Sequence, residues 1–129
     1  MQISPRRVAH IIVRAREIDA KVGAWDRTGD TADAETILEA RRGDATEAEL
    51  RAFIRRLNED EKASLVAIMW IGRETFDAEE LEEAIQTARQ EATMPTEDYL
   101  LGIPLLSDYL EEGLEKLGVD VADAEEDFL

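Results

Sequence analysis

The side chains best suited to chemistry in this chain are one histidine and a surplus of carboxylates; there is no cysteine. A lone histidine, His10, removes several mechanisms by itself. A bundle-type di-iron site draws on two Glu-x-x-His units, and an HExxH zinc site needs two histidines on one helix. A Ser, His and Asp arrangement would have to recruit His10 with Ser4, Ser64 or Ser107, yet no G-x-S-x-G elbow is present and Ser64 lies in an apolar run. The absence of cysteine excludes disulfides, thiolate metal sites and cysteine nucleophiles together. No catalytic residue is assigned on these grounds. His10 is expected to flank the apolar stripe of the first helix, as a surface or satisfied core residue.

The carboxylates fall in two groups, Asp108, Glu111, Glu112 and Glu115 in one stretch and Glu79, Glu80, Glu82 and Glu83 in another. An oxygen-only magnesium or calcium site needs several of them converging on one ion. The stretch from Asp26 to Ile37 fails the EF-hand pattern, because Thr31 stands at the glycine position and Ile37 at the terminal Glu position. A solvated, self-repelling acidic face is the default reading. A divalent cation held by Asp108, Glu111 and Glu112 is the alternative, and otherwise neither a metal nor a cofactor is implied.

The net charge of −16 is unevenly distributed. Residues 1–25 carry +3 and 26–57 carry −2, whereas 58–92 carry −7 and 93–129 carry −10. Such a surface repels nucleic-acid phosphates and anionic lipid headgroups, so neither nucleic acid nor membrane is the expected partner. Any basic face must lie on the first helix or near Arg51, Arg55 and Arg56. The opening MQISPRRVAHIIVRAREID lacks the pattern of a signal peptide, and the longest uncharged apolar run is about half of the roughly 20 residues a membrane helix needs. A cytoplasmic protein is the expectation.

That run, Ala63 to Gly72 (ASLVAIMWIG), is read as the buried centre of one domain. Leu65, Ile68, Met69 and Gly72 share one helical face, and Val66 and Trp70 an adjoining one, so different neighbours must cover each. Ser4-Pro5 caps a first helix with a stripe of Val8, Ile11, Ile12, Ala15, Ile18 and Val22, which Gly23 is expected to end. Ala24 to Ala34 reads as a loop anchored by Trp25. A short helix follows at Glu35 to Arg42, with Ile37 and Leu38 as contacts, until Gly43-Asp44. Three capping signals then set the frame: Thr46 with Glu49, Asn58 with Glu61, and Asp77 with Glu80, the last with Phe76 placed to staple onto Leu81. The first of these opens a helix with the stripe Leu50, Phe53, Ile54 and Leu57. The third opens one facing inward through Leu81, Ala84, Ile85, Ala88 and Ala92. Met94-Pro95 breaks that helix, and a short turn is expected at Glu97 to Leu101. Pro104 is expected to start a last helix that Gly118 ends.

The two helices flanking Asn58 suggest a helix-turn-helix, but the second would point Glu59, Asp60 and Glu61 at the DNA groove. A better candidate surface is LLGIPLLSDYL, unusually apolar for its acidic surroundings. Leu100, Leu101, Ile103, Leu105 and Leu106 cannot all lie on one narrow face. Some either close the core from a bent segment or remain exposed, with Tyr109, as a contact patch.

The segments LNEDEKASLVAIMWIGR (Leu57 to Arg73) and YLLGIPLLSDYLEEGLEKLG (Tyr99 to Gly118) resemble a family of small bacterial proteins catalogued as a domain of unknown function, family thirty-seven seventy-five of that catalogue. The resemblance covers roughly residues 46–118. It implies a bacterial, helical protein and carries no activity, substrate or catalytic residue with it.

The expected architecture is a single all-α domain over residues 1–118, an irregular orthogonal bundle of five main helices plus short helical turns, followed by an acidic tail at 119–129. The leading functional expectation is a non-catalytic interaction or adaptor module. It would bind an unknown protein partner, or itself as a homodimer, through Leu100, Leu101, Ile103, Leu105, Leu106 and Tyr109. The alternatives are an ion-dependent enzyme or ion-binding protein using Asp108, Glu111 and Glu112, and an acidic mimic that sequesters a basic partner.

Overall fold

The computed structural model describes the backbone of residues 3–28 and 34–119 and the side chains of residues 3–18 and 45–119. The order is α1 (Pro5–Thr28), α2 (Ala34–Arg55), α3 (Glu59–Gly72), a 3₁₀ turn (Ala78–Glu80), α4 (Leu81–Gln90), α5 (Thr96–Leu101) and α6 (Leu106–Lys116). There is no strand among the described residues. The protein is an all-α domain whose five longer helices and two short helical elements match the expected inventory, with some boundaries moved.

The apolar run is the centre of the molecule. Every residue from Ala63 to Gly72 is buried. It begins at a realised capping box, in which Asn58 Oδ1 accepts from the Glu61 N–H at 2.8 Å and Glu61 Oε1 accepts from the Asn58 N–H at 3.1 Å. α3 packs against α6, α4 and α5, while α1 packs against α2 and α6. Buried along its whole apolar length, α3 cannot serve as a recognition helix.

Between α3 and α6 the backbones themselves touch. A Cβ on Gly72 would overlap the Tyr109 carbonyl oxygen, and one on Gly113 would overlap the Ile68 carbonyl oxygen. Only glycine at both positions allows this approach. α6 then ends in a Schellman motif, with Val119 N–H donating to Leu114 O at 2.9 Å, Gly118 N–H to Glu115 O at 3.0 Å, and Gly118 at φ +82°. Val119, first residue of the expected tail, packs against the core; residues 120–129 lie outside the described residues.

Four expected boundaries are corrected. Gly23 does not end α1, which runs to Thr28 through the first part of the expected loop. The expected helix at Glu35 to Arg42 and the one after it are a single α2, so Gly43-Asp44 is no stop and Thr46 with Glu49 is no N-terminus. Gly and Asp each cost a helix interior about 1 kcal/mol or less, too little to end a helix by themselves. α4 ends at Gln90 and leaves Ala92 exposed. Finally, α6 starts at Leu106 and not at Pro104. Trp25, Ile37, Leu38, the side chain of Val22 and the EF-hand-like stretch fall partly or wholly outside the described side chains.

Candidate functional site

His10 packs its ring on Phe53 at 4.6 Å between centroids, beside a groove shared with Arg14, Glu49 and Arg56. Burial, and then the Arg14 charge, hold its pKa below the usual 6.5 against an opposing pull from Glu17. Half-buried, it joins α1 to α2 through this ring contact.

Four arginines from the less acidic first half reach carboxylates of the acidic second half: Arg7 to Glu61, Arg16 to Glu111, Arg51 to Asp98, and Arg55 to Glu97. The charge gradient along the chain is thus partly cancelled within the fold. Glu97 is the buried member, 6% exposed, with Arg55 Nε donating to its Oε1 at 3.4 Å. Burial pushes its pKa up. A backbone hydrogen bond and the charges of Arg55 and Lys62 outweigh burial and leave the pKa below the usual 4.5.

The carboxylates proposed for a divalent cation do not converge. Asp108, Glu111, Glu112 and Glu115 share a shallow groove with Arg16, whose guanidinium binds Glu111. No group of three His, Asp or Glu side chains among the described residues is placed to hold a metal ion.

The expected contact patch is divided by the fold. Leu100 and Leu106 are buried in the core, which corrects their assignment to an exposed surface. Leu101, Ile103 and Tyr109 are half-buried against it. Leu105 alone stands out, 56% exposed. It precedes the first residue of α6 with φ 62° and ψ 26°, a left-handed conformation, and offers no side-chain cap. The bend at Gly102 to Leu105 is what turns neighbouring leucines to opposite environments.

A second surface was not anticipated as a site. Trp70 Nε1–H donates to Tyr99 Oη at 3.1 Å, and Phe76 stacks on the indole at 5.6 Å between centroids. Phe76 thus covers Trp70, a contact that the expected staple onto Leu81 did not foresee. The indole and the Tyr99 ring also line a cleft of about 240 Å³ between α3, the end of α4 and α5, together with Val66, Ala88, Glu91 and Met94. Met94, 49% exposed, and Leu105 are the large apolar side chains most open to solvent among the described residues. The sequence signal was present in the shared face of Val66 and Trp70, but only the return of α5 brings Tyr99 onto it.

The fold and these surfaces define a small, acidic, all-α domain built on a glycine-mediated crossing of α3 and α6. Residues 47–119 match the family described as Protein of unknown function (DUF3775), and the chain belongs to that family. The matched region opens within α2 and includes both the cleft and the Leu105 corner. No curated protein and no solved structure matches the chain. No helix among the described residues is long and apolar enough to cross a membrane.

Proposed function

We propose that the chain is a non-catalytic protein-interaction module of the bacterial cytoplasm, with its contact surface at the α5–α6 corner. One observation carries this reading: Leu105 combines exposure with a left-handed backbone. A non-glycine residue there is disfavoured by roughly 1–2 kcal/mol, and a helix N-cap without a side-chain acceptor forgoes about 1 kcal/mol more. Glycine or asparagine would relieve the strain, so a protruding leucine is costly to the free protein and useful to a complex. Half-buried Leu101, Ile103 and Tyr109 provide apolar surroundings, and exposed Asp108 provides charge three residues away.

The partner is a protein with a basic surface and an apolar recess, because acids of the second half would repel a second copy or an anionic surface. The wild type and Leu105→Gly are compared in crosslinking capture from the native host, together with melting and sedimentation. A basic protein lost with Leu105→Gly, at an unchanged or higher melting temperature, supports the reading. Identical captures from the two proteins, or a large loss of stability in Leu105→Gly, refute it. A concentration-dependent dimer that Leu105→Gly abolishes replaces the foreign partner with self-association.

A further inference from the structure

We propose that the Trp70–Tyr99 cleft is a binding site for a small organic cation of the alkylated-ammonium class, independent of the Leu105 surface. Its size comes first. At about 240 Å³ the cleft is below the roughly 300–1,000 Å³ of sites for drug-sized ligands, so it admits a headgroup with a short tail and excludes a nucleotide.

Its chemistry selects charge. Trp70 and Tyr99 supply two aromatic walls, and Val66, Ala88 and Met94 supply apolar area. The indole N–H, the one donor of the Trp70 side chain, is committed to Tyr99 at 3.1 Å. What Trp70, 8% exposed and stacked on Phe76, offers a ligand is therefore the part of its ring that lines the cleft, whose quadrupole attracts cations. The charged residue lining the cleft is Glu91, exposed at the C-cap of α4, and no lysine or arginine lines it among the described residues.

An anion would meet a carboxylate and no counter-charge. A primary ammonium would exchange a tightly held hydration shell for Glu91 and the Thr93 and Thr96 hydroxyls, leaving the aromatic and apolar walls unused. An alkylated ammonium spreads its charge over methyl groups, loses little hydration on burial, and satisfies both the rings and Glu91. The hydrogen bond from Trp70 holds the Tyr99 ring in place, so the site is formed before the ligand arrives. Phe76, stacked on the indole, fixes the other aromatic wall.

The probes are choline and 3,3-dimethylbutan-1-ol, which have the same shape and differ in the charge. Each is titrated into the full chain while the two tryptophan indole N–H resonances are followed, that of Trp70 being assigned with Trp25→Phe. The expected result is a saturable shift at Trp70 with choline and affinity about 3- to 30-fold weaker for the neutral alcohol. Glu91→Gln should narrow that ratio without changing the melting temperature, since Glu91 is exposed. The proposal is overturned if the alcohol binds as tightly as choline. It is equally overturned if choline gives no shift beyond that of sodium chloride at equal ionic strength, or if Glu91→Gln leaves the ratio unchanged. Because Leu105→Gly lies outside the cleft, it should leave choline binding intact, and loss of binding in that variant would refute the independence of the two surfaces.

Discussion

The crossing of α3 and α6 and the corner where α5 turns into α6 share the helix α6 and obey opposite rules. At the crossing, Gly72 and Gly113 remove side chains so that two backbones can meet, and Ile68, Met69, Leu110 and Leu114 beside them are fully buried. At the corner, a large side chain is kept where the backbone favours none, and it faces solvent. Close packing leaves the crossing no freedom to bind anything. The corner and the adjacent cleft are where apolar surface remains uncommitted. In the proposed reading a domain this small separates the two tasks, with rigidity in the helix pair and contact on the short α5 and its flanking turns.

The largest expected effect tests the crossing. Gly72→Ala or Gly113→Ala drives a methyl group into a backbone carbonyl that cannot rotate away, and should cost more than about 4 kcal/mol or prevent folding. Urea denaturation measures it, and a loss under about 1 kcal/mol would mean the helices separate easily. Next in size is truncation of the α3 face that meets α6. Ile68→Ala or Leu65→Ala should cost about 2–5 kcal/mol, because both side chains are fully buried and the cavity cannot collapse against fixed helices.

Acid provides a smaller and more gradual test. Glu97 and His10 both have folded-state pKa values below their ordinary 4.5 and 6.5, so at these sites the unfolded chain takes up protons at higher pH than the folded one. The contribution of His10 is therefore complete above pH 6.5 and declines as the pH falls through its folded value. That of Glu97 is complete above pH 4.5 and declines below it. Urea midpoints across this range for the wild type, His10→Gln and Glu97→Gln should show each variant lacking its own limb of the decline. Parallel curves would show that neither group is linked to folding.

The smallest effect should come from the corner. Leu105→Gly removes a large side chain yet should leave stability unchanged or raise it by up to about 1 kcal/mol, because it relieves the left-handed strain. A loss of more than about 2 kcal/mol would make Leu105 a core residue and erase the distinction between the two regions.

The sequence by itself determined the helical class, the central helix, the apolar stripes of α1 as far as Ile18 and of α2, and the caps at Asn58 and Asp77. These follow from periodicity and from side chains bonding to backbone groups within a few residues. It also marked Gly118 as a stop, correctly, and Gly23 and Gly43 as stops, wrongly. The local cost of a helical glycine is too small to decide without the packing that surrounds it.

What only the tertiary structure decided depends on groups far apart in the chain. Gly72 needs glycine because Tyr109 lies against it, and Leu100 and Leu105 have opposite fates because a bend turns one inward and the other outward. Trp70 and Tyr99 share a hydrogen bond and a cleft because α5 folds back on α3. The four arginines that neutralise later carboxylates were legible only as a charge gradient. No local pattern carries such pairings, since their free energy depends on distances that the whole fold sets.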